Sequence, residues 1–295
     1  MRTTAMGTTG LTVPVQGLGC MRMSDEAESA TVINRALDLG VTFLDTADMY
    51  GVGRNEEIVG KAVRGRRAEA LICTKFGVVF GDGDSWSIRG DPAYVRSSCD
   101  ASLRRLGVET IDLFYLHRPD DTVPIEETAG AMGELVAAGK VRHIGLSEVS
   151  GEQLRAAHAA HPISAVQSEW SLCSDRVEEV VPVCAELGVG VVPYSPQGRG
   201  LLNMGRRAAN SRFAQIYPKH GALPGLVHDV AAKHGAKPGQ VALAWVQQRA
   251  QVWGVAVTPI PGTTSVPHLA ENIAALDITL DAEDLALLDT RARPR

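Results

Sequence analysis

The chain has 295 residues, 45% of them hydrophobic and 21% charged, with a formal net charge of -5 and a pI near 5.9. That length and apolar share can bury a sizeable core, either in one α/β barrel or in two smaller domains. The acidic balance argues against a nucleic-acid footprint, and the short basic runs Arg64-Gly-Arg-Arg67 and Arg206-Arg207 read as solvated helix ends. Five cysteines (Cys20, Cys73, Cys99, Cys173, Cys184) are an odd number, without the paired spacing of a zinc site or the density of a secreted disulfide scaffold. They read as reduced, mostly buried thiols. The N-terminus lacks a long apolar h-region and no run of about 18 apolar residues occurs, so the expectation is a cytoplasmic protein without membrane contact.

Taken in order, residues 2–16 hold two β-prone runs around a glycine-bearing turn and predict a hairpin. A repeating phrase then begins. Val15 to Cys20 reads as a strand, and Glu26 to Leu39 reads as a helix opened by Ser24-Asp25 and stopped by Gly40. Thr42 to Ala47 precedes helical Glu56 to Val63. Ala70 to Lys75 precedes a helix that opens on the cap and first-turn proline Asp91-Pro92 and ends at Leu106-Gly107. Ile111 to His117 precedes Ile125 to Ala138, His143 to Ser147 precedes Ser150 to Ala159, and Ala165 to Trp170 precedes Asp175 to Leu187. Val189 to Ser195 is a seventh strand and Thr258 to Gly262 an eighth. Helical stretches at Leu226 to His234 and Val241 to Arg249 lie between them, and Val266 to Ala275 follows.

Eight alternating units imply a parallel sheet, and eight strands suffice to close it. The sequence therefore predicts one domain over residues 1–295, a (β/α)8 TIM barrel with an N-terminal β-hairpin. Two long loops, Phe76 to Gly90 and Leu201 to Pro224, follow strands and belong at the C-terminal face, where long loops cover sites.

In such a barrel a polar residue at a strand's C-terminal end reads as part of a site. Asp45, Asp48, Tyr50, Lys75, His117, Ser147, Gln167, Tyr194 and Ser195 all gather on that rim. Lys75 ends an apolar strand and needs an anion if buried; Asp45 on the neighbouring strand is its natural partner, as a structural salt bridge or as chemistry. A phenol such as Tyr50, with an ordinary pKa near 10, becomes a usable proton donor when a lysine ammonium lowers that value. Beside it, His117 can orient a carbonyl or relay a proton. Lys75 could alternatively be a Schiff-base lysine, although an adjacent Asp45 would keep it protonated and poorly nucleophilic. Asp48 reads as a capping or solvated loop residue, and Glu126-Glu127 as first-turn carboxylates meeting a helix dipole.

With Asp45, Tyr50, Lys75 and His117 in these places, the chain resembles the aldo-keto reductase superfamily. The likeness covers nearly the whole length. It rests on the hairpin, Gly17-Leu-Gly19, Asp45-Thr-Ala-Asp-Met-Tyr-Gly51, Asp112-Leu-Phe-Tyr-Leu-His117, Gly145-Leu-Ser147, Gln167-Ser-Glu169, Pro193-Tyr-Ser-Pro196, Ile260-Pro-Gly262 and Glu271-Asn272. The resemblance implies metal-free hydride transfer from a reduced nicotinamide to a small-molecule carbonyl. Tyr50 would be the general acid, Lys75 would tune it with Asp45 holding the lysine, and His117 would position the carbonyl oxygen.

The same resemblance places Ser147 and Gln167 on the nicotinamide carboxamide with Tyr194 stacked on its ring, and counts Gly19, Met21 and Asp45 among the cofactor-binding residues. The backbone from Ser195 through Pro196, Gly198 and Gly200 to Leu201 would fold over the pyrophosphate. Gly262, Thr263, Thr264, His268, Glu271 and Asn272 would hold the adenosine end. Trp86 and Arg118 would wall the substrate pocket beside Tyr50 and His117, and Trp170 reads as core or wall. Two departures stand out. Glu148 replaces the asparagine usual after the serine of strand 5. Thr263, Thr264, Ser265 and His268 stand where the family usually meets a 2′-phosphate with Lys or Arg, so NADP(H) is favoured with NAD(H) or dual use left open. A different outcome is a redox-sensing regulatory barrel resembling the potassium-channel β subunits.

Overall fold

A computed structural model describes residues 1–81, 83, 85–203 and 222–292. Arg206-Arg207 and most of the expected loop Leu201 to Pro224 lie outside the described residues. The first elements are a hairpin, β1 (Thr3–Ala5) and β2 (Thr12–Pro14), paired antiparallel. The barrel follows with β3 (Leu18–Gly19), β4 (Phe43–Asp45) and β5 (Leu71–Phe76). A second hairpin, β6 (Val78–Phe80) with β7 (Trp86–Ile88), interrupts it. The remaining barrel strands are β8 (Ile111–Leu116), β9 (Val141–Ser147), β10 (Ala165–Glu169) and β11 (Gly190–Tyr194).

Seven of these form one parallel sheet in the order β11-β10-β9-β8-β5-β4-β3. The segment expected as the eighth strand closes the ring through isolated bridges, Gly19 to Gly262 on one side and Val191 to Val257 on the other. Its irregularity has a cause in the sequence. Thr258 and Ile260 donate their N–H groups to the carbonyls of Val191 and Pro193 at 2.9 Å each. Pro259 and Pro261 face β3, where they accept from Gly17 and Gly19 at 3.0 and 3.3 Å but have no N–H to return. Half the ladder is therefore missing on that side. Gly19 lets the backbones close, because a Cβ there would stand 2.9 Å from the carbonyl oxygen of Ile260.

The strands are buried on both faces, as a helix-wrapped parallel sheet requires. Leu113 and Tyr115 of β8 share an inner cluster with Phe43, Cys73, Val192 and Ile260, whereas Phe114 and Leu116 belong to the outer cluster formed with the helices. Met6, Leu11 and Val13 of the first hairpin join the inner cluster. Thr8 donates to the Gly188 carbonyl at 3.0 Å just before β11 begins, so the hairpin plugs the N-terminal end of the barrel.

The helices start and stop where local chemistry dictates. Helix α1 (Glu26–Asp38) is capped by the Asp25 side chain, which accepts from the Glu28 N–H; α2 (Arg54–Ala62) follows β4. Helix α3 (Pro92–Leu106) opens on Asp91 and a first-turn proline and ends at Gly107 with φ 65°. Helix α4 (Ile125–Ala137) follows β8, and a reciprocal Ser150–Gln153 capping box opens α5 (Gly151–Ala160). The expected helix from Asp175 to Leu187 is broken into a 3₁₀ turn, Arg176–Glu179, and α6 (Val181–Leu187). Pro182 lacks the N–H that would have bonded back to Glu178, so one continuous helix cannot form. The remaining helices span Leu223–Lys233, Pro238–Trp253, Val266–Ala274 and Ala282–Ala292; the last was not expected from the sequence. Nor was the β6–β7 hairpin, which occupies the stretch expected as a loop from Phe76 to Gly90. All five cysteines are free and buried.

Candidate active site

The C-terminal ends of β4, β5 and β8 bring Asp45, Lys75 and His117 together, and the loop after β4 returns Tyr50 to them. Lys75 lies at the end of a wholly apolar inward path and has no solvent exposure. Its Nζ donates to Asp45 Oδ1 at 2.5 Å and to the Thr46 carbonyl at 2.8 Å, and stands 3.4 Å from the Tyr50 hydroxyl. Gln167 Nε2, reaching from β10, donates to the other Asp45 oxygen at 2.8 Å. Both carboxylate oxygens are thus satisfied, as a buried charge demands. The Tyr50 and His117 rings meet edge to face with centroids 5.9 Å apart.

The electrostatics assign protonation states. Burial works to lower the Lys75 pKa, but the Asp45 carboxylate and the Tyr50 oxygen outweigh it and hold the ammonium above its ordinary value. Lys75 is therefore charged, which is the wrong state for a Schiff-base nucleophile. Burial pushes the Asp45 carboxyl up, against the pull of Lys75 and Gln167. The expected net lowering of the Tyr50 pKa is not seen: burial raises it, and this outweighs the opposing pull of Lys75. A phenol so placed keeps its proton at neutral pH. Burial, reinforced by the Lys75 and Arg118 cations, pushes the His117 imidazole down to about 2. It is neutral at any physiological pH, with its buried Nδ1 lacking a hydrogen-bond partner.

Around this group, Ser147 and Gln167 are register partners on β9 and β10. The Arg118 guanidinium donates to Ser147 Oγ at 3.2 Å and to the His117 carbonyl at 2.7 Å, tying the end of β8 to that of β9. Glu148 adopts φ +57° and turns its carboxylate to the Glu169 N–H at 3.1 Å and toward the Tyr194 hydroxyl. Ser195, Arg199 and Val52 share this left-handed backbone, and all four follow barrel strands on the same face. Strain of order 1–3 kcal/mol per residue concentrates where a site must be shaped.

The segment after β11 folds through Pro196, Gly198, Gly200 and Leu201 toward the helix Val266–Ala274. Gln197 Nε2, from between those residues, donates to Asn272 Oδ1 at 2.9 Å. Glu271 is ion-paired with Lys237. Ser265 caps the helix, accepting from the His268 N–H at 3.5 Å, and Thr263 Oγ1 accepts from the Ser265 N–H at 3.0 Å. Thr264 and His268 are exposed beside them and Gly262 joins Gly19 across the closing bridge. Met21, 58% exposed, and Trp86, 63% exposed on the β6–β7 hairpin, stand on loops that follow β3 and β5. Trp170 is wholly buried, with Nε1 donating to Glu178 at 3.3 Å; it is core, not pocket wall.

The expected solvated or capping role of Asp48 does not hold. Its Oδ1 is buried without a partner, and burial, aided by the Glu56 carboxylate, raises its pKa to about 7. Glu56 is fully buried, accepting from Thr74 at 2.6 Å and from Arg105 at 2.6 Å. Sequence reasoning passed over Glu56, Thr46, Gln197 and Arg199, since no local pattern separates a polar loop residue from one that meets a partner tens of positions away.

A parallel barrel with a buried lysine–carboxylate pair, a protonated phenol and a neutral histidine on its C-terminal rim defines a class of oxidoreductase. Residues 15–292 match the Aldo/keto reductase family, and the chain belongs to it. It is 46% identical over 300 residues to a probable aldo-keto reductase 1 of Glycine max, covering 95% of this chain and 86% of that protein. Among solved structures, a holo-form aldo-keto reductase from Bacillus halodurans superposes with a TM-score of 0.83 at 30% identity, over 99% of this chain and 97% of that one. An aldo/keto reductase from Klebsiella pneumoniae in complex with NADP and acetate gives 0.81 at 29% identity, over 100% and 97%.

Proposed function

We propose that this chain, as one barrel domain over residues 1–295, reduces aldehyde or ketone carbonyls to alcohols with a nicotinamide cofactor, NADP(H) being favoured. The observation that carries the reading is the Tyr50 hydroxyl 3.4 Å from Lys75 Nζ, beside a neutral His117 with an unpartnered ring nitrogen. An unpaired buried nitrogen costs about 1–3 kcal/mol, which a ligand oxygen would recover. The donor set fits a dinucleotide: Ser147 and Gln167 lie side by side at the strand ends, Tyr194 faces the same rim, and the backbone from Ser195 to Leu201 offers a fold over a pyrophosphate. The cofactor, when bound, supplies the hydride.

The chain's own residues do the rest. His117 orients the carbonyl oxygen toward Tyr50, and Tyr50 gives its proton to the oxygen as negative charge develops there. The Lys75 ammonium, fixed by Asp45 and the Thr46 carbonyl, stabilises the phenolate left behind. The raised pKa of Tyr50 keeps the donor loaded at neutral pH. Burial of Lys75 and Asp45 keeps water from competing for the ammonium.

Loss of a positioned acid typically costs about 10²–10⁴ in rate. Tyr50→Phe is therefore expected to lower kcat by that factor across an aldehyde panel while NADPH binding, followed by tryptophan fluorescence, stays within twofold. Undiminished turnover in Tyr50→Phe would remove Tyr50 as the acid.

A further inference from the structure

The barrel has a second concavity at the opposite end from Tyr50. It has a volume of about 1030 Å³ and is bounded by the ends of α2 and α3 and the first residues of β5 and β8. Its dimensions reach those of small-molecule pockets, which run to roughly 1,000 Å³. It exists because α2 and α3 pack tightly at Gly60, where a Cβ would meet the Leu106 carbonyl oxygen at 2.0 Å, and then part. Beyond that contact, Gly65 and Gly107 both open onto empty space.

The lining is cationic. Lys61, Arg64, Arg67, Arg104, Arg105 and Arg142 face only Glu57, Glu109 and Asp112, a surplus of three positive charges in a chain whose net charge is -5. Cations at helix C-termini ordinarily complement the dipole, and two helix ends supply about one negative charge between them. Lys61 and Arg105 are also paired with Glu26 and Glu56, and Glu57 with Arg54, so about one positive charge is left without a counterpart. The pairing is also unequal. Buried Asp112 carries two guanidiniums, Arg67 at 2.7 Å and Arg142 at 3.3 Å, while Lys61 pairs with the exposed Glu26 and Arg105 with the buried Glu56. Arg64 and Arg104 have no carboxylate partner among the described residues. The short run around Arg64 is thus more than a solvated helix end: Arg67 is built into the wall, with a second hydrogen bond to the Thr110 carbonyl at 2.7 Å.

We propose that this concavity binds a phosphate-bearing small molecule, with Arg64 and Arg104 as its guanidinium clamps. Planar, weakly hydrated guanidiniums match phosphate oxygens bidentately, and a concavity with a positive surplus draws in an anion. The site is separate from the cofactor rim, because the cofactor residues lie at the C-terminal ends of the strands and these at the N-terminal ends.

The test is calorimetric titration of inorganic pyrophosphate into protein saturated with NADPH, so that the cofactor's own phosphate subsites are filled. The expected result is one pyrophosphate per chain, with affinity falling at least tenfold in Arg64→Ala/Arg104→Ala and NADPH affinity unchanged. Both side chains are exposed, and a thermal melt of the double variant matching the parent shows that the fold is intact. The proposal is overturned by no binding to the NADPH-saturated protein, by equal binding in the double variant, or by a parallel loss of NADPH affinity.

Discussion

Replacing Asp45 with asparagine keeps the shape and one acceptor but strands the Lys75 ammonium, which has no solvent exposure and only Tyr50 and the Thr46 carbonyl as other partners. At an effective dielectric of about 20, unit charges at the observed 2.5 Å attract by about 6–7 kcal/mol. Desolvation of both ions offsets much of that. Breaking a buried pair by removing one member is measured at about 3–5 kcal/mol, a large part of an ordinary stability of about 5–15 kcal/mol. Asp45→Asn should lose about 3–5 kcal/mol in urea unfolding followed by tryptophan fluorescence. Asp45→Asn/Lys75→Met, which removes the stranded charge, should recover about 2 kcal/mol or more of that loss. A single variant within about 1 kcal/mol of the parent, or a double variant no better than the single, would refute the view that Lys75 depends on this carboxylate.

Asp48 yields a pH prediction. Its folded pKa of about 7 lies above its unfolded value near 3.8, chiefly through burial and then through Glu56. The stability this group contributes is full below the unfolded pKa and is lost as pH rises through about 7. The rise from 3.8 to about 7 corresponds to about 4 kcal/mol, reduced to about 1–2 kcal/mol because the side chain keeps partial contact with solvent. The melting temperature of Asp48→Asn relative to the parent should therefore rise between about pH 4 and pH 8; a constant gap would count against a carboxyl raised by burial. Gly60→Ala gains about 1 kcal/mol of helix propensity but drives a methyl to 2.0 Å from the Leu106 carbonyl. Overpacking of about 1–3 kcal/mol or more should win, and a melt at or above that of the parent would show that α2 and α3 can part. His268→Arg should raise the NADPH-to-NADH affinity ratio at least tenfold in fluorescence titrations, since a guanidinium grips a phosphate dianion better than an imidazole. An unaltered ratio would place the 2′-phosphate elsewhere.

The alternation of strands and helices was legible because its causes are local. Asp25, Asp91 and Ser150 cap helices through their own side chains, Gly107 and Gly188 stop them with a positive φ, and β8 reads as a run of buried residues. The rim was legible for the same reason: a polar residue that ends an apolar strand has one place to be. Asp45, Tyr50, Lys75 and His117 were found from strand ends alone. Other readings failed where one residue's chemistry depends on distant neighbours. Prolines 259 and 261 thin the closing ladder only because β3 is the strand they face, and Asp48 loses its expected solvated role because burial and the Glu56 carboxylate surround it.

By itself the sequence determined the eightfold phrase, the capped helix starts at Asp25, Asp91 and Ser150 and the set of polar strand ends, since these follow from periodicity and local backbone chemistry. Tertiary structure alone decided the protonation states. Tyr50 keeps its proton and His117 stays neutral because burial outweighs the neighbouring charges that adjacency suggests. It also decided that Asp48 has one carboxylate oxygen buried without a partner, and that Arg64 and Arg104 share a concavity. Desolvation and cross-strand pairing depend on what packs around a residue, and that is fixed only when the barrel closes.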